Sequence, residues 1–89
     1  MIVNVETVYR VRIDFDCVED SKGEDVLDKV ALKAIDIAKR YGVVYETFDG
    51  CAACSPYVTY EGDTMEAVQK AGNALVQYIK RFKSYKFID

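Results

Sequence analysis

Two thiols separated by two alanines, Cys51 and Cys54, sit between Gly50 and Ser55-Pro56, and a third, Cys17, closes the most strongly patterned strand of the chain. Thiols at this spacing can chelate a soft metal such as zinc, close into a redox-active disulfide, or serve as small turn residues. A zinc or iron site needs about four ligands, thiolate or imidazole by preference. The chain has no histidine, so a metal set of Cys17, Cys51 and Cys54 would need Asp16, Glu19, Asp49, water or a second subunit to complete it. A thioredoxin-type pair stands at the start of a helix, where the dipole lowers the thiol pKa; this pair falls in a predicted hairpin instead. The plainest reading keeps Cys17 on the apolar face of its strand, in step with the other odd-numbered residues, and leaves Cys51 and Cys54 as turn residues. A metal- or redox-responsive sensor built on all three cysteines is the alternative.

The second concentration of chemistry is ionic. Net charge is −3, from 15 acids and 12 bases, which gives no long-range attraction to nucleic acid or to an anionic membrane. Asp14, Asp16, Glu19, Asp20, Glu24, Asp25 and Asp28 crowd one stretch with only Lys22 opposing them, whereas Lys80, Arg81, Lys83 and Lys86 gather near the other end. Such carboxylates can hold Mg²⁺ or Ca²⁺, but their spacing does not match an EF-hand loop. Acids ahead of a helix, like bases after one, are favoured by its dipole without any ligand. Asp16, Glu19 and Asp20 are therefore read as an acidic end that a protein partner could grip. Seven tyrosines are more than one small core readily buries with every hydroxyl satisfied. Tyr57 and Tyr60 are accordingly assigned to exposed aromatic surface of the kind common at interfaces.

Catalytic constellations are missing from the sequence: it has no histidine for general base work, no Gly-x-Ser-x-Gly elbow and no phosphate-binding glycine loop. The expectation is a non-enzymatic protein. An RNA-recognition sheet is not favoured either, because Tyr9 and Phe15 fall on the apolar face and no glycine-aromatic run marks the third strand.

Six predicted elements position these groups. From Val3 to Cys17 the odd residues are mainly apolar and the even ones mainly polar, the period-two pattern of a strand covered on one face only. Asp20 or Ser21 is expected to cap a helix, with Glu24 completing a capping box. Leu27, Val30, Ala31, Ala34, Ile37, Ala38 and Tyr41 form its apolar stripe and Gly42 its stop. Val43 to Asp49 and Tyr57 to Tyr60 read as a hairpin around the cysteine loop. Asp63, with Glu66 three residues on, is expected to cap a second helix that runs to about Lys83. Tyr85 to Ile88 makes a short last strand. The order is βαββαβ. Right-handed crossovers make its commonest arrangement an α+β ferredoxin-like sandwich, an antiparallel sheet ordered 4-1-3-2 with both helices on one face. In that topology the end of the first strand and the cysteine hairpin share one end of the sheet, so three thiols could converge there.

With 89 residues, 51% of them hydrophobic and 30% charged, the chain fits one globular domain over 1–89. Its first residues, Met1-Ile2-Val3-Asn4-Val5-Glu6, lack a basic leader and a long apolar run, so a cytoplasmic protein is expected, with its thiols reduced, metal-bound or transiently oxidised. A first strand of about fifteen residues would span roughly 50 Å at about 3.4 Å per residue. That outruns its neighbours, so it must either bend at a bulge or pair its overhang with another molecule, and a homodimer is expected. The resulting expectation is a small interaction or regulatory domain, self-associating, that binds a protein partner through its acidic end or tyrosine-rich surface. Small acidic inhibitors, including virus- or phage-encoded ones, share that profile.

Overall fold

A computed structural model describes residues 8–51 and 53–88, so the predicted strand residues Val3 to Thr7 lie outside the described residues. The elements are β1 (Tyr9–Glu19), α1 (Leu27–Tyr41), β2 (Val44–Phe48), β3 (Tyr57–Gly62), α2 (Met65–Ile79) and β4 (Ser84–Ile88). The strands are antiparallel in the order β2-β3-β1-β4, which is the expected order read from the opposite edge. This is a ferredoxin-like α+β arrangement. No helix among the described residues is long and apolar enough to cross a membrane.

β1 is a central strand used in two halves. Tyr9 to Asp14 pair with β3, from Tyr9↔Gly62 to Asp14↔Tyr57, and Asp14 to Glu19 pair with β4. The register slips between the pairs Phe15↔Phe87 and Val18↔Tyr85, so that Asp16 and Cys17 together face Lys86. An extra residue on one strand is a β-bulge, and it moves every later side chain to the other face. Val18, an even-numbered residue, is therefore turned into the core at 0% exposure, and Cys17 is exposed. The expectation that Cys17 continues the apolar face fails for this reason. Of the two ways to accommodate an over-long first strand, the described part takes the bulge.

Both helices cover one face. Val30, Ala34, Ile37 and Ala38 of α1 and Val68, Ala71, Leu75 and Ile79 of α2 join Phe15, Val18, Val58 and Tyr60 of the sheet in one buried cluster. Gly72 lets α2 lie close to β1, since a Cβ there would come 3.2 Å from Val11 Cγ2. At the foot of α1, Gly42 takes the left-handed conformation at φ 67° and donates its N–H to Ala38 O, the stop that its sequence position predicts.

The helix starts differ from expectation. Asp20 Oδ1 accepts hydrogen bonds from the backbone N–H of Lys22 at 2.8 Å and of Glu24 at 3.0 Å, and so closes a loop instead of capping α1. These bonds also hold its carboxyl below the usual range. After the loop the chain returns to the end of β1, with Val26 N–H donating to Val18 O at 3.0 Å and Val26 itself buried. Only then does α1 begin, where Leu27 N–H donates to Asp25 Oδ1 at 2.7 Å. Burial of Val26 against the end of β1 thus delays the helix past the predicted capping box. At α2 the cap is Thr64, one residue beyond Asp63, whose Oγ1 accepts from Ala67 N–H at 3.2 Å. Glu66 then falls too early for a capping box and pairs with Lys70 at 2.9 Å. α2 itself stops at Ile79, short of Lys83.

Candidate functional site

The hairpin between β2 and β3 pairs regularly from Val44↔Glu61 to Phe48↔Tyr57 and then opens. Cys51 and Cys54 close it again as an isolated antiparallel bridge. Cys51 N–H donates to Cys54 O at 2.9 Å, and Cys54 N–H donates to Cys51 O at 3.2 Å, so the two cysteines face each other across a two-residue turn. Gly50 makes this return possible. It sits at φ +90°, and a Cβ there would meet the backbone oxygen of Cys54 at 3.0 Å and Pro56 Cδ at 3.1 Å. Pro56 anchors the root of the loop, its carbonyl accepting from Phe15 N–H at 3.2 Å. Gly50→Ala is expected to cost about 1–3 kcal/mol through left-handed strain and the backbone clash, seen as a lower urea midpoint at unchanged slope.

Both hairpin thiols are free and exposed. A hydrogen bond from the Cys54 thiol, reinforced by the backbone N–H groups of Ala53 and Cys54, holds the Cys51 thiol below its ordinary pKa. The same bond, with the charge on Cys51, pushes Cys54 up. The pair is thus asymmetric: Cys51 is the readier thiolate and Cys54 the proton holder. They open onto a cavity of about 570 Å³ that Asp16, Asp49 and Leu27 also line.

Cys17 is not among the residues that line this cavity. The bulge sets it opposite Lys86, and among the described residues no group of three or more Cys, Asp or Glu side chains could hold a metal ion. The expected metal set of Cys17, Cys51 and Cys54 is therefore not assembled, and a zinc ion has no ligand set there to fit it.

The residues assigned to partner binding are dispersed. Asp16 lines the cavity, Glu19 faces Ser84 in the ladder, and the Asp20 carboxylate is occupied by its loop. Tyr60 is buried at 0% exposure, with its hydroxyl donating to Ala34 O at 2.9 Å, so its assignment to an exposed surface is wrong. Tyr57 is half-buried on the uncovered face, and it centres a cluster that the spacing of the tyrosines does not reveal. The Arg12 guanidinium stands 4.0 Å above its ring, the Phe48 ring is 5.3 Å away, and its hydroxyl donates to Glu46 Oε1 at 2.8 Å. That last bond, to a carboxylate, raises the phenol's pKa. Arg12 in turn donates to Asp14 at 3.1 Å. Cross-strand neighbours on one face were the available signal, because Arg12 and Glu46 both oppose Thr59.

No protein family, curated protein or solved structure matches this chain.

Proposed function

We propose that this is a non-enzymatic protein-interaction domain whose first partner is a second copy of itself, joined by antiparallel pairing along β2. The observation that carries the reading is the state of that strand's outer edge. Among the described residues β2 is paired only with β3, and four of its five residues are exposed, among them Val44 at 68% and Phe48 at 36%. Sheet edges in soluble proteins are ordinarily blunted by lysine, proline or a bulge. β2 has none of these, and its one charged side chain, Glu46, already accepts the Tyr57 hydroxyl. The opposite edge, β4, carries Lys86.

The apolar edge continues onto α1. Ala31 lines a crevice with Thr47 and Phe48. Residues directly opposite in an antiparallel pair share a face. Val44 and Phe48 of the two copies would meet on the uncovered side, and Tyr45 with Ala31 on the helical side. Both layers are needed, because two five-residue strands alone bury less than the roughly 1,200–2,000 Å² of a stable interface. Tyr57 and Arg12 extend the same surface inward, where a further protein partner could bind across the completed sheet.

Sedimentation and native mass measured from micromolar to millimolar concentration test the proposal. The wild-type chain is expected to dimerise, and Val44→Lys with Tyr45→Lys to be monomeric with an unchanged circular dichroism spectrum. A monomeric wild type, or a dimer indifferent to both substitutions, would overturn it.

A further inference from the structure

We propose that Cys51 and Cys54 form a reversible dithiol–disulfide site for small disulfides that are neutral or positively charged. The inference is independent of pairing along β2. It rests first on backbone geometry. The reciprocal hydrogen bonds at 2.9 and 3.2 Å define a closely bonded antiparallel pair, whose Cα atoms stand about 5.5 Å apart. Disulfides span about 4.4–6.8 Å between Cα atoms, and a pair in this register falls within that range. Gly50 and Pro56 hold that geometry from outside the pair. Exposure supplies the second element, since both thiols are reachable from solvent.

The cavity supplies selectivity. At about 570 Å³ it has room for a small organic disulfide, and among its described lining residues Asp16 and Asp49 are charged while none is basic. Two carboxylates beside the reacting sulfurs repel an anionic disulfide and attract a cationic one, an effect that salt screens.

The chemistry is two thiol–disulfide exchanges. Cys51, having lost its proton to solvent, attacks one sulfur of R–S–S–R; the Cys51–S–S–R bond forms, the R–S–S–R bond breaks, and RS⁻ leaves and takes up a proton. Cys54 then loses its proton, its thiolate attacks Cys51 Sγ, and the second RS⁻ departs and is protonated. Two electrons and two protons pass from the protein dithiol to the small disulfide, which becomes two RSH. Excess small thiol reverses both steps. The lowered pKa of Cys51 and raised pKa of Cys54 are consistent with this order of attack.

The test uses the full chain with cystamine, a cationic disulfide, and dithiodiglycolate, an anionic one. Cystamine is expected to consume two of the three thiols and remove two hydrogens from the intact mass, with peptide mapping linking Cys51 to Cys54 and leaving Cys17 free. Cys54→Ser should stop at a stable mixed disulfide on Cys51, while Cys51→Ser should react about tenfold more slowly at neutral pH. Cystamine should outpace dithiodiglycolate several-fold at low salt, and Asp16→Asn with Asp49→Asn should narrow the gap. A product linked through Cys17, disulfides between copies of the chain, or a dithiol untouched by excess cystamine would overturn the site. Equal rates for the two reagents at low salt would overturn its charge selectivity.

Discussion

Val18→Asp is expected to unfold most of the protein at neutral pH, whereas Cys17→Asp, one residue away, is expected to change stability by no more than about 0.5 kcal/mol. Strict alternation along β1 would give the reverse result. The difference comes from the bulge, which turns Val18 fully inward and Cys17 outward. Loss of a buried valine removes about 1.5–3 kcal/mol of apolar burial, and a carboxylate left in the buried cluster that includes Phe15, Val26 and Val30 would add at least a few kcal/mol more. Ordinary domains hold about 5–15 kcal/mol in total. Burial raises a carboxyl's folded pKa above its unfolded value of about 3.9. The Val18→Asp penalty should therefore be smallest in acid and grow as pH rises past that value. Urea midpoints of the two variants at acidic and neutral pH measure both effects; equal losses would mean that the bulge is elsewhere.

Tyr60→Ala is expected to cost about 3–5 kcal/mol, and Tyr60→Phe only about 0.5–1.5 kcal/mol, the net worth of one hydrogen bond. The ring lies at the centre of the core and its hydroxyl reaches Ala34 O, which ties β3 to α1. Burial also raises the phenol's pKa well above its ordinary value. The sign follows from proton binding. Above about pH 10 the unfolded tyrosine is ionised while the folded one keeps its proton, so the unfolded state binds fewer protons and stability falls as pH rises. The wild-type chain should thus lose stability above about pH 10 more steeply than Tyr60→Phe does. Parallel alkaline curves for the two proteins would contradict that role for Tyr60.

Local periods carried most of the architecture. The helical stripes of Val30, Ala34 and Ile37 and of Val68, Ala71 and Leu75, together with the hairpin, were legible because each repeats within one element. The bulge was not, because two residues facing one is a relation between β1 and β4, and no window along β1 alone contains it. The late start of α1 has a similar origin, since Val26 is tied by its N–H to Val18 on another element. Grouping Tyr57 with Tyr60 is a different case. Residues three apart on a strand point to opposite faces, so their separation was already legible. Of the thiols, the place of Cys51 and Cys54 on the hairpin was legible from its turn residues, while their facing bridge and the position of Cys17 depended on backbone pairing.

The division of β1 between two partners bears on how the protein is made. Its second half pairs with β4 through contacts such as Asp14↔Ile88 and Phe15↔Phe87, which join early and late parts of the chain. Closing so long a loop carries an entropic penalty before any contact compensates it, and such topologies fold slowly. On the ribosome, β1, α1 and the hairpin can emerge and begin to pack, but the edge of Asp14 to Glu19 that pairs with β4 stays open until β4 has been synthesised. A nascent chain paused before Ser84 should expose Phe15 and Val18 along an unfilled edge, which makes that interval the one in which chaperone capture or premature aggregation would act.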